Sequence, residues 1–348
     1  MSLKNNTVFE NSNLPLLIWF KAVQMTFAEM EISQNRKPSR VSVKLNKIDS
    51  IMDWGKVLEV VQVVDRTDKQ KGGCPHKDLL VKVKMLFLQT LYNLSGPELE
   101  DQVNDRLSFQ RFVGLDMSST VPDYSTIWRF RDRLSEEGVG EELFYLINSF
   151  LEAKGLFVKK GTIVDATIIG STNRPLSKER RKGLEENPSP QIDTDAHSTA
   201  KRGKKYFGYK GHIGTDVGSK LIRKRKMTSA QPHDSQVTGD LLSGDEAAVF
   251  GDSAYSNIKD KQKARKEGVY YGMFDKRTRR KGLSASQKKR NKKKSRVRSA
   301  VEHPFGYMKE KLGYKKCVAK NLRRNSFYFD MNCIMYNIFR ADYLLSAC

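Results

Sequence analysis

The sequence has little cysteine and no long apolar run. Four cysteines are scattered over 348 residues, and none forms a C-x-x-C pair. This pattern favours a reducing compartment and argues against a disulfide framework or a zinc site. No run of 18 apolar residues could form a transmembrane helix. The apolar residues 14–20 are too few for a secretory signal, and no small-residue cleavage site follows them. We therefore expect a cytoplasmic protein without a membrane partner.

Acidic residues are the other deficit. The chain has 63 lysines and arginines against 40 aspartates and glutamates, a net charge of +23 and a pI near 9.7. Such an excess indicates a polyanionic partner, and without membrane signals that partner is nucleic acid. The densest positive run is residues 276–298, which includes Lys292, Lys293 and Lys294. Because like charges repel, we expect this run to be ordered only against phosphates.

Residues 47–155 have apolar positions at helical spacing and predict a helical domain. One helix, at 122–134, begins at a capping Asp123 or Ser125 and carries Arg129, Arg131 and Arg133. Two interpretations have equal weight. The helix is part of a helix-turn-helix-like unit whose arginines contact DNA phosphates, or it is a bundle helix with a solvated basic face.

Beyond residue 156 the pattern changes to strands alternating with helices. Strands are predicted at 161–172, 206–215, 220–229, 247–252 and 269–274, with helices at 236–243 and 258–266. This is the element order of the ribonuclease-H-like fold. The expected organisation is an extension that is poorly ordered (1–46), a helical DNA-binding domain (47–155), a mixed-sheet α/β catalytic domain (156–325) with a loop insertion near 173–203, and a C-terminal helix (326–348).

Three acidic residues occupy positions that the predicted fold could bring close together. Asp165 interrupts the buried β-branched run 161–170, where a carboxylate is costly unless it is paired or binds a cation. Asp252 follows the strand at 247–251, where ligands usually bind an open α/β sheet. Arg298, Glu302 and Lys309 are four and seven residues apart, so one helix face would carry all three. Pro304 predicts that this helix begins near residue 301 or kinks there.

Three carboxylates predict a metal site. Mg²⁺ prefers oxygen ligands, and two such ions can activate a nucleophile and stabilise a leaving oxygen. Arg298 and Lys309 would then hold DNA phosphates. The simpler alternative is that Glu302 only forms an i, i+4 ion pair with Arg298. The two patterns together favour the metal site.

These motifs make the sequence similar to a known family over residues 25–324. Residues 164–167, Val-Asp-Ala-Thr, and residues 250–255, Phe-Gly-Asp-Ser-Ala-Tyr, resemble the first two catalytic motifs of DDE-type bacterial transposases of the insertion sequence 5 family, within the insertion sequence 4 group. Arg298, Glu302 and Lys309 match the R-(3)-E-(6)-K part of the third motif. Ser295 stands where that motif has a tyrosine.

The resemblance implies a bacterial, nucleoid-associated enzyme. It would use two Mg²⁺ ions, or Mn²⁺, held by Asp165, Asp252 and Glu302 to cleave the ends of its own element. It would then join the freed 3′-hydroxyls to target DNA, most naturally as a homodimer that pairs two element ends. Two alternatives stay open, namely a nuclease of the same fold that does not join strands, and a catalytically inactive DNA-binding regulator derived from such an element.

Overall fold

The computed structural model describes residues 37–64, 78–116, 119–187, 189, 192–201, 203–277, 282–317 and 319–347. The chain divides into two compact units, 1–46 and 47–348. In the first unit the described residues are 37–46, and helix α1 (Arg40–Ile51) begins there. The prediction of a poorly ordered extension is therefore wrong for residues 40–46, which are helical. Residues 1–36 of that extension lie outside the described residues.

Helices form the first part of the second unit. After α1 they are α2 (Trp54–Val61), α3 (Leu79–Tyr92), α4 (Gly96–Asp105), α5 (Leu107–Val113), α6 (Tyr124–Glu136) and α7 (Val139–Ala153). Local sequence explains where they begin. Ser95 and Glu98 form a capping box at the start of α4, and the side chain of Asp123 caps α6 by accepting from the backbone N–H of Thr126.

Strands and helices alternate in the remainder of the chain. In chain order these elements are β1 (Thr162–Ser171), α8 (Lys178–Glu186), β2 (His197–Lys201), β3 (Lys204–Asp216), β4 (Ile222–Ser229), β5 (Ala248–Gly251), α9 (Ile258–Lys266), β6 (Tyr270–Met273), α10 (Ala285–Arg298), α11 (Glu302–Glu310), β7 (Lys316–Cys317) and α12 (Leu322–Ser346). The predicted helix at 236–243 is wrong. Only two short 3-10 turns form there, Asp234–Gln236 and Gly239–Leu241.

The strands form one mixed sheet with the order β2–β3–β1–β5–β6. β3 lies between β1 and β4 and is antiparallel to both, while β5 and β6 run parallel to β1. β7 adds a short parallel pairing at the end of β1. An apolar cluster packs on β1, β5 and β6, and its buried members are Val164, Val237, Leu241, Val249, Tyr255 and Met273. The mixed α/β class of the prediction is thus present.

The last helix joins the helical region to the sheet. α12 contacts α7, α3 and α6 on one side and β4 on another, and most of its middle is buried. The predicted domain boundaries at 155 and 325 fall inside the unit 47–348, so the division into separate domains stays a prediction. Among the described residues, we find no helix whose length and apolar character would let it traverse a bilayer.

Two segments are more ordered than the sequence predicts. The insertion at 173–203 contains α8 and the edge strand β2 instead of a loop throughout. The basic run contains the helix α10, although it was expected to be ordered only against phosphates. Ser284 and Gln287 form a capping box at its start, and Asn291 bonds both the N–H and the carbonyl of Asp275. These contacts offset the repulsion between its like charges.

Candidate active site

Asp165 on the inner strand β1 lies beside Asp252, which follows the neighbouring strand β5. β1 and β5 are parallel neighbours in which Val164 pairs with Gly251, and each aspartate is the next residue of the chain after one member of this pair. Gly251 is needed at this position, because a Cβ there would lie 2.6 Å from Sδ of Met273 and 2.8 Å from Val164. The close packing of these strands therefore fixes the two carboxylates as neighbours.

Asp165 is a buried carboxylate with a charged partner. Its Oδ2 accepts a hydrogen bond from Arg298 at 2.7 Å, and its Oδ1 accepts one from the N–H of Ala166 at 2.9 Å. Only 8% of the residue is exposed. Burial raises the pKa of Asp165 to about 6, and the Arg298 charge opposes this shift. The side chain is thus costly to keep ionised without a cation beside it.

Asp252 lies at the end of its strand and begins the next turn. Its Oδ1 accepts a hydrogen bond from the N–H of Ser253 at 2.6 Å and caps the 3-10 turn Ser253–Tyr255. The residue is half-buried, in contrast to Asp165. It therefore presents its carboxylate nearer to the surface.

The residues of the third motif lie on two consecutive helices, and two of them contact β1. Arg298 ends α10, a 3-10 turn follows, and Glu302 begins α11, with Pro304 in its first turn where no backbone donor is needed. Lys309, near the end of α11, donates to Oγ1 of Thr167 on β1 at 2.5 Å. Burial and the nearby Lys201 lower the pKa of Lys309.

Glu302 is the most exposed of the three acidic residues. Its carboxylate lies 3.8 Å from Arg298, and 65% of its side chain is accessible to solvent. Arg298 therefore stands between Asp165 and Glu302 and touches both. Glu302 is thus close enough to Arg298 for the ion pair that the simpler interpretation predicts. The aspartates that the metal-site interpretation requires lie next to this pair.

A cleft of about 220 Å³ holds the two aspartates together with Arg298. Sequence reasoning missed five further charged or polar residues that line it, Thr199, Lys201, Lys210, Asp234 and Tyr255. Lys210 donates to Asp234 at 2.9 Å. Of these residues, only Tyr255 could have been found from the sequence, because it belongs to the same motif as Asp252. Lys201 lies on β2, in a segment predicted to be a loop.

The donor chemistry of the cleft fits a divalent cation. Asp165 and Asp252 offer carboxylate oxygens at one place, and Oδ2 of Asp165 is at the same time paired with Arg298. Within the described ranges, no three His, Cys, Asp or Glu side chains are grouped closely enough to hold a metal ion. The three-carboxylate metal site therefore stays a prediction.

The predicted phosphate-binding residues fall into two sets. Arg129, Arg133, Lys292 and Lys293 are exposed. We correct the prediction for Lys294, which is buried and donates to the carbonyl of Met273 at 2.6 Å, 3.6 Å from the Asp275 carboxylate.

We also correct the prediction for Arg131. It points inward from α6, donates to Gln89 at 2.8 Å and lies over the ring of Tyr328. Neither Arg131 nor Lys294 is free to contact a phosphate in this structure.

His212, a weaker candidate near the site, is a buried residue of β3. Its Nε2 lies 3.0 Å from the hydroxyl of Thr228. Burial lowers its pKa to about 4, with Lys210 and Lys226 acting in the same direction and Asp234 opposing them. It does not line the cleft.

Two family models and a solved structure are similar to this chain. A family model described as a transposase DDE domain matches residues 157–338, and a second, described as a transposase domain (DUF772), matches residues 31–133. A solved structure, the cryo-EM structure of the piggyBac transposase synaptic complex with hairpin DNA, is 11% identical with a TM-score of 0.43. That match covers 90% of this chain and 78% of the other, but its TM-score is too low to support an argument. The DDE-domain match spans more than half of the chain, which therefore belongs to the DDE transposase family.

Proposed function

We propose that this chain cleaves DNA at the ends of its own insertion element and joins the 3′-hydroxyls to target DNA, as a member of the insertion sequence 5 family. The observation that carries the proposal is the cleft, in which Asp165 and Asp252 adjoin on parallel strands beside Arg298. Carboxylates surrounded by cationic side chains suit a phosphodiester whose charge must be neutralised during attack. The family match supports DNA as the substrate class.

We assign the sheet to the ribonuclease-H-like fold. Its path β4–β3–β1–β5–β6 has three antiparallel strands followed by two parallel ones, which supports the assignment. In this arrangement the first acidic residue lies on the central strand and the second follows the neighbouring parallel strand. The helical residues 47–155 would be the DNA-binding domain.

Asp165, Asp252 and Glu302 would hold two Mg²⁺ ions, or Mn²⁺. Bound ions of this kind activate a water or a 3′-hydroxyl and stabilise the leaving oxygen. Arg298 orients Asp165 through their hydrogen bond, and its guanidinium, with the ammonium of Lys309, adds positive charge for the phosphate oxygens.

DNA would also contact surfaces outside the cleft. The exposed Arg129 and Arg133 on α6 and Lys292 and Lys293 on α10 would bind phosphates without reading sequence. A homodimer would pair two element ends, and the enzyme would act on the bacterial nucleoid in the cytoplasm.

The test is nicking of a DNA duplex that carries the element ends, in Mg²⁺ and in EDTA. Wild type should nick only with Mg²⁺. Replacing a residue that orients a metal ligand already costs about 10–100-fold, so Asp252→Ala, which removes a ligand, should lower the rate by more than about 100-fold. Its affinity for DNA in EDTA should not change. Asp101→Ala, at an exposed position of α4 away from the cleft, is the matched control and should nick normally.

The same assay separates the alternatives. Nicking without joining of strands would indicate a nuclease of this fold. Binding of the element ends without nicking by the wild type would indicate an inactive regulator and would contradict the proposal.

A further inference from the structure

Two large aromatic side chains are exposed next to each other on α6. Tyr124 is 52% exposed and Trp128 is 46% exposed. They are four residues apart, so they lie on the same face of the helix, one turn from each other. We refer to this pair as the α6 platform. Most of the other aromatic residues that the structure describes in this unit are buried or half-buried, and an exposed adjacent pair indicates an interaction surface.

Trp128 is held in place from one side. The guanidinium of Arg324 lies over its ring, 5.5 Å from the centroid. Arg324 is itself fixed by two hydrogen bonds to Asp132, at 2.6 and 2.9 Å. The exposed part of the ring is therefore presented in one orientation, and little side-chain entropy is lost when a ligand covers it.

Tyr124 is also fixed. Its backbone N–H donates to Glu100 at 2.7 Å. Its side chain packs against Gly96, where an added Cβ would lie 3.4 Å from Cβ of Tyr124 and 3.7 Å from its ring. The absence of a side chain at Gly96 thus makes room for the ring against α4.

The charge around the platform favours a polyanion. Arg129 and Arg133 are exposed on the same helix, and within the described residues no hydrogen bond or ion pair joins the side chain of either to another residue. The acidic neighbours Asp132 and Glu136 are engaged by the arginines at the start of α12, Arg323 and Arg324. Near Trp128, α6 therefore carries the positive charge of Arg129 and Arg133, whereas the carboxylates of Glu100 and Asp123 lie near Tyr124.

We propose that the α6 platform binds unpaired nucleobases by stacking, so that this face of the helix holds DNA at a single-stranded end or a distorted step. This inference rests on the proposed DNA function. Every base has a π-face, so stacking contributes affinity without reading sequence, while the neighbouring arginines contact phosphates. A fully paired duplex offers no free base face except at its ends.

The first test compares a blunt duplex with the same duplex carrying a short single-stranded overhang, over a range of salt concentrations in EDTA. Trp128→Ala should weaken binding of the overhang probe by about tenfold and leave the blunt duplex unchanged. The salt dependence should keep its slope, because no phosphate contact is removed. Arg129→Ala should instead weaken both probes and reduce the slope by about 1.

The matched control is Tyr343→Ala. Tyr343 is also exposed, at 61%, and also has an arginine, Arg340, over its ring, but it stands alone near the end of α12. Its loss should not change the binding of either probe. A spectroscopic readout is independent of affinity. The overhang probe should quench the fluorescence of Trp128, and the Trp128→Phe variant, which keeps Trp19 and Trp54, should lose that quenching.

The outcomes separate this inference from the function on which it rests. Failure of the wild type to bind either probe contradicts the proposed function. If the wild type binds DNA and Trp128→Ala binds both probes equally well, or weakens the binding of both by the same factor, the stacking proposal is overturned. The proposed DNA function is then unaffected. A change in the sedimentation mass of Trp128→Ala without DNA would show that a second copy of the chain covers the platform, and would also overturn the inference.

Discussion

Replacing Asn337 by leucine is expected to destabilise the unit 47–348 by about 3 kcal/mol. Asn337 is a fully buried residue of α12 that joins three elements. Its Nδ2 donates to Asn148 on α7 and to the carbonyl of Ile222 on β4, both at 2.8 Å, and its Oδ1 accepts from the N–H of Ile222 at 2.8 Å. Asn148 completes the set by donating to the same carbonyl at 3.1 Å.

The magnitude follows from which groups lose their partners. In the leucine variant the N–H of Ile222 and Oδ1 of Asn148 are both left buried and unpaired, at roughly 1–3 kcal/mol each. The carbonyl of Ile222 keeps its bond from Asn148. Burial of the leucine side chain stabilises the variant by about 1–2 kcal/mol and so offsets part of this loss. The net loss of about 3 kcal/mol is a large part of the 5–15 kcal/mol typical of a folded domain.

Asn332 provides a control on the same helix. It is 4% exposed, its Nδ2 donates only to the carbonyl of Tyr328 one turn earlier, and its Oδ1 has no partner among the described residues. Asn332→Leu removes a polar atom that is already unsatisfied and should change stability by less than about 1 kcal/mol. Urea unfolding followed by circular dichroism measures both variants. Equal losses for the two would refute the reasoning, because burial alone would then explain the effect.

Two further predictions concern charge. Lys292→Ala should reduce the slope of log affinity against log salt for DNA by about 0.9, while Lys294→Ala should leave that slope unchanged and lower the melting temperature, because Lys294 bonds the carbonyl of Met273. The reverse pattern would contradict the assignment of exposed and buried lysines. His212, with a pKa lowered from 6.5 to about 4, binds its proton more weakly when folded, so its contribution to stability is complete above pH 6.5 and is lost as the pH falls toward 4. Wild type should lose up to about 3 kcal/mol over that interval relative to His212→Gln, as measured by urea unfolding, and parallel curves would rule this out.

The neighbouring aspartates illustrate what sequence patterns can determine. Asp165 lies within β1, whose first part is an apolar buried run, and Asp252 directly follows the short apolar strand β5. An acidic residue in or directly after such a run is recognisable without any contact information. Parallel pairing then places Asp165 and Asp252 next to each other, because each follows one member of the same residue pair. The two carboxylates meet wherever these two strands are neighbours, and the predicted element order implies that they are.

The insertion near 173–203 shows where local patterns fail. Its polar, proline-containing sequence has no periodicity, yet β2 forms because β3 continues beyond the segment that pairs with β4 and offers it an edge. The buried Asp193 ties the insertion to the sheet by accepting a hydrogen bond from the hydroxyl of Tyr209 at 2.6 Å. The pairing of β2 with β3 is local, with Lys201 opposite Lys204, but the irregular sequence pattern of the insertion does not reveal it. The place of Lys201 in the cleft further depends on where β3 lies in the sheet, so it could not be found from the insertion's own sequence.

The third motif has a different geometry from that of one continuous helix. Helical periodicity alone would place Arg298, Glu302 and Lys309 on one face of a single helix, whereas a 3-10 turn separates Arg298 from the helix that carries the other two. The beginning of that helix at Glu302 agrees with the start near residue 301 that Pro304 predicts. The residues are brought to the site by β1, since Arg298 bonds Asp165 and Lys309 bonds Thr167, two positions further along the same face of that strand. The period of the strand, as much as that of the helix, therefore sets the spacing between the two cations. A substitution that shifted the register of β1 by one residue would remove both contacts together, although it would leave α11 intact.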